Sequence, residues 1–241
     1  MVDEGLDLYF YGHFGAFLLW MLLPGANFWV LFLGLVNLPF HTAEIKFYIT
    51  KSLKFIVDEL GPVEVEFIFG TIVSISGLFA SNFWQYSLAQ SFGVDWKVFE
   101  VIQWKYFLLT LVAVLYVLFA NDNLKDAFKE NVGRTFYCLV PTLLFILMAV
   151  AHSWLQTFKV QTFLIYLLYM YSYNLAICRL MISNMSQQLY SFWGLELLYP
   201  LVVIIVGLTA GLTLEQETML TQGFLVLAAL HGFWVFFSLS W

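Results

Sequence analysis

The sequence predicts an all-α, polytopic membrane protein with about eight transmembrane helices and one transmembrane domain that covers residues 1–241. Of the 241 residues, 62% are hydrophobic and only 11% are charged, whereas a soluble domain has roughly 45–50% apolar and about 25% charged residues. The apolar residues form continuous runs and do not alternate with polar ones, which favours helices over a membrane β-barrel. These features exclude a water-soluble fold.

The uncharged runs predict the transmembrane spans, because a helix needs about 20 apolar residues to cross the hydrocarbon core. The first run, 8–40, is too long for one span. Pro24-Gly25-Ala26-Asn27 has the composition of a turn, so we expect two short spans there. A kink in place of that turn would reduce the total to seven. The other six predicted spans are 67–88, 105–120, 135–158, 160–178, 197–214 and 219–241.

Basic residues predict the orientation, because lysine and arginine are enriched in cytoplasmic loops. With eight spans, the N-terminus shares one side with the loops near 41–62, 121–134 and 179–196. That side carries seven basic residues and the opposite side carries three. We therefore expect both termini on the cytoplasmic or matrix side. Loop 41–62 has the mixed charge of an interfacial connector, with its apolar side chains against lipid headgroups. Those side chains are Ile45, Phe47, Tyr48, Leu53 and Phe55.

Two acidic pairs are candidates for a functional site, and only the first is spaced so that its carboxylates share a helix face. Asp3 and Asp7 are four residues apart, so on a helix their carboxylates share one face and could hold one metal ion. An acidic helix cap stabilised by the helix dipole is the alternative. Glu64 and Glu66 follow Pro62 at a predicted helix start. Either one of these two carboxylates faces the bundle interior or a water-filled cleft, or both are solvated at a capped helix start.

Arg179 is the third polar candidate, at the end of the predicted span 160–178. It could hold a lipid phosphate, pair with an acid from another helix, or extend to the membrane interface. Arg179 and Glu64 are our candidates for contact with a lipid or phosphate group. The four histidines show no metal-ligand spacing and fit hydrogen-bonded helix residues better. With 10 basic and 16 acidic residues, we expect no nucleic-acid partner.

Several short segments, in a shared order, carry a resemblance to a known family. They are D-E-G-L-D at 3–7, T-A-E at 42–44 followed by G-P-V-E at 61–64, F-W-Q at 83–85, and R-L-M-I-S-N-M-S at 179–186. They resemble D-H-G-x-D, T-W-E with G-P-V-E, F-W-Q or W-H, and R-x-I-V-x-H-[LM]-T of the CDP-alcohol phosphotransferases, the choline and ethanolamine phosphotransferases among them. The resemblance extends over nearly the whole chain.

The resemblance implies a ten-helix fold with the signature D-G-x-x-A-R-x(8)-G-x-x-x-D-x-x-x-D between the second and third helices. Asp3 would match its third Asp, a metal ligand, and Asp7 its fourth, the general base. The first half of the signature has no counterpart in this sequence, and eight spans agree with the loss of two helices. Asn184 stands where the family has His, Gln187 where it often has Lys, and Glu4 where it has His.

The family transfers a phospho-alcohol from CDP to diacylglycerol, and its metal ions stabilise the charge that develops on the pyrophosphate. Because half of the metal-binding carboxylates are missing, we expect a non-catalytic pseudoenzyme without a cofactor. It would be a structural or lipid-binding subunit whose partners are membrane lipids and other membrane proteins. A truncated or split phosphotransferase that uses Mg²⁺ or Mn²⁺ is the first alternative, and a transporter or channel is the second. The family implies the endoplasmic reticulum or Golgi, and a repurposed subunit could lie in the mitochondrial inner membrane.

Overall fold

The computed structural model describes residues 37–52, 86–93 and 103–239, together with Thr71 and Lys97. These residues are almost entirely helical, and within them the predicted all-α class is confirmed. The helices are α1 Leu38–Thr50, α2 Leu88–Phe92, α3 Trp104–Glu130, α4 Val132–His152, α5 Gln156–Val160, α6 Thr162–Ser186, α7 Leu195–Thr209 and α8 Leu214–Leu239.

Local sequence signals set the helix ends. Asn131 separates α3 from α4 in an extended conformation, and its side chain accepts a hydrogen bond from the backbone N–H of Arg134 at 2.9 Å, as an N-cap does. Helix α6 ends at Ser186, and the next residue, Gln187, has a φ of 54°. The turn between α7 and α8 contains Gly211 with a φ of 58°, a conformation that glycine adopts without steric cost.

Three of the described helices are long and apolar enough to cross a membrane: Val132–His152, Thr162–Ser186 and Leu214–Val235. Helix α7 is also apolar but has only 15 residues. This set is compatible with an integral membrane protein. The total of eight spans stays a prediction, since several of the predicted spans lie outside the described residues.

Helix α6 is the central helix of the described part. Helices α1, α4, α7 and α8 all pack against it, and side chains on every face of its middle portion are buried. The largest fully buried side chains of α6 are Tyr166, Tyr169, Ile165, Leu168, Met170, Leu175 and Ile177. This all-round burial explains why α6 has no polar face.

Several predicted span ends differ from the structure. The helix that contains the predicted span 105–120 continues to Glu130, and the helix that contains 197–214 ends at Thr209. The predicted span 135–158 ends at His152, after which the chain turns into the short helix α5. The predicted span 160–178 continues through Arg179 to Ser186, because the charge of Arg179 is paired with Glu196 and does not end the helix. A rule that ends a span at its first charged residue does not take such pairing into account.

The prediction of an interfacial connector near residue 41 was wrong for its first part. Residues 41–46 lie in α1 and are buried, with Ile45 fully inaccessible and Glu44 and Lys46 only 5% and 6% exposed. Burial is possible because both charged side chains have polar partners within the bundle. Phe47 and Tyr48 are half-buried, whereas Leu53 and Phe55 lie outside the described residues.

The three loops predicted to share one side of the membrane meet in the structure. Lys46 Nζ lies 2.7 Å from Asp126 Oδ2. The backbone N–H of Tyr190 donates to the Tyr48 hydroxyl at 3.0 Å. These contacts bring parts of the 41–62, 121–134 and 179–196 segments together at one end of the helices. The assignment of these three segments to one side of the membrane stays a prediction.

Candidate functional site

A row of polar side chains runs along one face of α1 and its N-cap. Asn37, His41 and Glu44 are spaced by four and three residues, so they lie on the same side of the helix. All three are buried, with exposures of 3%, 0% and 5%. Each forms a hydrogen bond with a residue of α6, and these contacts join α1 to the centre of the bundle.

His41 is the middle of this row. Its Nδ1 atom lies 2.7 Å from Thr142 Oγ1 on α4 and 2.8 Å from the hydroxyl of Tyr173 on α6. The two hydroxyls are also 2.8 Å apart, so the three side chains form a closed triangle of hydrogen bonds. One helical turn earlier, Asn37 Nδ2 donates to Asn174 Oδ1 at 2.8 Å.

Glu44 and Asn184 form the end of the row. Asn184 Nδ2 donates to Glu44 Oε2 at 2.8 Å and also lies 3.2 Å from the backbone oxygen of Glu44. Both residues belong to segments that carry the family resemblance, T-A-E at 42–44 and R-L-M-I-S-N-M-S at 179–186. Two segments that are far apart in the chain therefore meet in the fold.

Arg179 holds the connection between α6 and α7. One of its terminal nitrogens donates to Glu196 Oε1, and the other donates to the backbone oxygens of Ser191 and Trp193, the latter at 2.7 Å. The Glu196 side chain is 1% exposed and that of Arg179 is 26% exposed. Gly194 lies against this pair, and a Cβ atom there would overlap Arg179 Nη1 and both carboxylate oxygens of Glu196.

Tyr190 fixes the middle of the same connection. Its side chain is 5% exposed, although the preceding residue Leu189 is 85% exposed. The ring makes edge contacts with Tyr48 and Tyr137, each at 6.3 Å between ring centres. Burial raises the pKa of the Tyr190 hydroxyl, and the nearby Arg179 charge partly opposes that rise. The phenol is therefore neutral at physiological pH.

Another polar contact joins the short helix α5 to α8. Glu217 Oε2 accepts hydrogen bonds from Thr157 N at 2.9 Å and from Thr157 Oγ1 at 2.7 Å. Glu217 is 4% exposed and Thr157 is inaccessible. The carboxylate thereby holds α8 to the short helix α5.

The predicted site residues are only partly covered by the structure. Asp3, Asp7, Glu64 and Glu66 lie outside the described residues. Of the three predicted roles for Arg179, pairing with an acid from another helix is the one observed. Its Nε–H and one Nη1–H are not used in these contacts, so the expectation of a lipid phosphate at Arg179 stays a prediction.

The histidines of the described part are hydrogen-bonded helix residues, as expected. Tyr199 Oη lies 2.9 Å from His231 Nδ1, and His152 Nδ1 lies 3.4 Å from the Tyr169 hydroxyl. The His41 triangle was not predicted from the sequence. The spacing of Asn37, His41 and Glu44 was the signal that could have revealed it. Within the described ranges, no group of three or more His, Cys, Asp or Glu side chains is placed to hold a metal ion.

Comparison with known proteins gives no relative: no family model, no curated protein and no solved structure matches this chain. The arrangement itself pairs polar side chains of one helix with polar side chains of another. It is suited to fixing helix positions inside an apolar bundle.

Proposed function

We propose that this chain is a non-catalytic membrane protein of the CDP-alcohol phosphotransferase type, a pseudoenzyme that acts as a structural or lipid-binding subunit of a larger membrane assembly. The observation that carries the proposal is the hydrogen bond from Asn184 to Glu44. Asn184 stands at the position where the resembling family segment has a histidine.

A carboxamide cannot take up or release a proton near neutral pH, whereas a histidine can. The amide of Asn184 is also buried and bonded to the Glu44 carboxylate at 2.8 Å. Its place in the fold is therefore that of a helix-to-helix contact. This supports a structural role for a segment that would otherwise contribute to acid–base chemistry.

Arg179 supports the same interpretation. In an enzyme that handles phosphates, an arginine gains most when its planar fork is free to bind two oxygens of the substrate. Here three N–H groups of Arg179 donate to its own chain, at Glu196, Ser191 and Trp193. The guanidinium stabilises the connection between α6 and α7.

Exposed apolar side chains support contact with lipids or with other membrane subunits. Helix α8 presents Met219, Leu230 and Trp234 at 63%, 60% and 73% exposure. Large exposed apolar side chains along one helix are suited to contact with lipid chains or with a protein partner. We infer that the membrane is that of the endoplasmic reticulum or the Golgi, or the mitochondrial inner membrane for a repurposed subunit. Fractionation of tagged cells distinguishes among them.

The catalytic half of the proposal is tested with the purified full chain in lipid nanodiscs that contain diacylglycerol. CDP-choline or CDP-ethanolamine is added with Mg²⁺ or Mn²⁺. We expect no phospholipid product above that of empty nanodiscs, and none from the Asn184→His variant. An active choline or ethanolamine phosphotransferase in the same discs is the positive control. Turnover that the Asp7→Asn variant abolishes would overturn the proposal and favour a truncated or split enzyme.

The subunit half is tested by purification from native membranes in mild detergent. We expect the chain to elute as part of a larger complex of fixed stoichiometry, or to retain specific phospholipids that native mass spectrometry detects. Elution as a single chain without retained lipid would contradict this half of the proposal.

A further inference from the structure

The connection between α6 and α7, residues 187–194, presents large apolar side chains on its outer surface. Leu189 is 85% exposed and Trp193 is 66% exposed, whereas Tyr190 between them is only 5% exposed. Arg179 donates hydrogen bonds to two backbone oxygens of this connection. The backbone is therefore held against the bundle while Leu189 and Trp193 face outwards.

The length of α6 sets the depth of the connection in a membrane. Helix α6 has 25 residues and is long and apolar enough to cross a bilayer. At 1.5 Å per residue it is about 37 Å long, slightly more than the hydrocarbon core of about 30 Å. The connection follows Ser186 directly and leads at Leu195 into the apolar helix α7. A bilayer that α6 crosses therefore has its headgroup region at the connection, and tryptophan is enriched at that depth.

Two cations lie beside the connection. Lys51 Nζ is 5.2 Å from the centre of the Tyr48 ring. Tyr48 in turn contacts Tyr190, both through its hydroxyl and through its ring. Arg134 is one helical turn before Tyr137 on α4, and the ring of Tyr137 also contacts Tyr190, at 6.3 Å between ring centres. Lys51 and Arg134 are thus linked to the connection by the aromatic side chains around Tyr190.

The exposed charges near the connection are mainly positive. Lys51 and Arg134 are exposed, and no ion pair joins either of them to another residue that the structure describes. Exposed cations outnumber exposed carboxylates in these segments, with Lys51, Lys125, Lys129 and Arg134 against Asp122 and Glu130. Where α5 meets the start of α8, by contrast, the exposed Lys159 is accompanied by the exposed Glu215. The charge near the connection therefore complements an anionic membrane surface.

We propose that the α6–α7 connection, together with Lys51 and Arg134, is a contact surface for the headgroups of anionic phospholipids. Trp193 and Leu189 contact the upper acyl chains, and the two cations attract the headgroup charge. The position of the connection between two apolar helices favours lipid over a soluble protein. The proposal rests on the lipid-binding part of the proposed function, and it adds the class of lipid and the place where it binds.

Photo-crosslinking of the full chain tests this surface. A photoreactive amino acid replaces Trp193 in bilayers of phosphatidylcholine and phosphatidylserine, and mass spectrometry identifies the lipid adducts. Trp154 is the matched control position, because it is a tryptophan with 70% exposure in the turn that precedes α5. We expect phosphatidylserine to be enriched over its share of the bilayer among the Trp193 adducts but not among the Trp154 adducts. Equal adducts at the two positions would overturn the proposal, as would a protein adduct in place of lipid at Trp193 in native membranes.

Charge variants test the role of the cations. Lys51→Gln and Arg134→Gln should each lower the enrichment of phosphatidylserine at Trp193 by about two- to fivefold, and added salt should lower it as well. The Lys159→Gln variant removes an exposed cation near α5 and should leave the enrichment unchanged. Full enrichment in the chain that carries both Lys51→Gln and Arg134→Gln would refute this surface. The proposed function is tested separately, since a chain without this enrichment still supports it by eluting in a complex of fixed stoichiometry or with retained lipid.

Discussion

The side-chain amide of Asn184 on α6 donates a hydrogen bond to the carboxylate of Glu44 on α1 at 2.8 Å. The two residues are 140 positions apart in the chain. Both side chains are buried, at 6% and 5% exposure. A buried carboxylate is costly unless hydrogen bonds compensate for its lost hydration. The bond therefore helps to make the burial of α1 possible.

Replacement of Asn184 by leucine should lower the free energy of unfolding by about 1–3 kcal/mol, because Glu44 loses a buried hydrogen-bond donor. Denaturant or thermal unfolding of the full chain in detergent measures the change. The Asn121→Leu variant makes the same chemical change at an exposed position of α3, where about 0.5 kcal/mol or less is expected. Equal stability of the two variants would show that the Asn184 bond contributes little.

Replacement of Arg179 by methionine should destabilise the chain by about 3–5 kcal/mol, because it leaves the Glu196 carboxylate buried without its cationic partner. Adding Glu196→Leu in the same chain should restore much of the loss, since no unpaired charge remains. Unfolding of the two single variants and the double variant gives the coupling energy. Additive effects would contradict a direct role of the ion pair.

Replacement of Gly194 by alanine should separate Arg179 from Glu196, because the new Cβ atom overlaps both side chains. We expect a loss of about 1–3 kcal/mol, and a smaller loss when Arg179 is already methionine. Gly223 on α8 is the matched control, since a Cβ atom there meets nothing within 4 Å. Alanine at Gly223 should stabilise the helix by about 0.5–1 kcal/mol. The same unfolding assay compares the two, and a Gly194 variant as stable as the original chain would refute the overlap.

Replacement of Glu217 by leucine should destabilise the contact between α5 and α8 by about 2 kcal/mol, because the N–H and hydroxyl of Thr157 lose a charged acceptor. The Glu215→Leu variant changes an exposed carboxylate two residues earlier on the same helix. It should leave stability nearly unchanged. Proteolysis near α5, followed by mass spectrometry, should show faster cleavage in the Glu217 variant only.

Tyr190 should make stability fall at alkaline pH. Burial raises the pKa of its hydroxyl above the ordinary value of 10.0, so the unfolded chain releases this proton at a lower pH than the folded chain does. The contribution of the neutral Tyr190 hydroxyl to the free energy of unfolding is complete below pH 10. It decreases as the pH rises beyond 10, by up to about 1.4 kcal/mol for each pH unit. Unfolding of the unmodified chain and the Tyr190→Phe variant from pH 8 to 11 measures this. A stability difference that does not change with pH would contradict it.

Local sequence patterns were enough to predict α4, α6 and α8, because a long apolar run specifies a helix without reference to the rest of the chain. The same kind of pattern predicts that the segments near 41–62, 121–134 and 179–196 share one side of the membrane. These predictions depend on hydropathy and on the distribution of basic residues. Both can be read within a window of about 20 residues.

The burial of α1 and the partner of Arg179 could not be predicted in that way. Lys46 and Glu44 look solvated in their own segment, and their partners Asp126 and Asn184 become apparent only in the fold. Arg179 had several possible partners in the sequence, and Glu196 is on a separate helix. For the acidic candidates Asp3, Asp7 and Glu64 the sequence interpretation stands as a prediction.

The three bonds that join α1 to α6 connect residues 132 to 140 positions apart. A ribosome adds about 5–20 residues per second, so α1 is made on the order of 7–30 seconds before its partners exist. During that interval Asn37, His41 and Glu44 have no protein groups of α6 to bond. We therefore expect α1 to be held by water, by a chaperone, by the insertion machinery or by earlier parts of the chain, such as Thr142 on α4, until α6 has been synthesised.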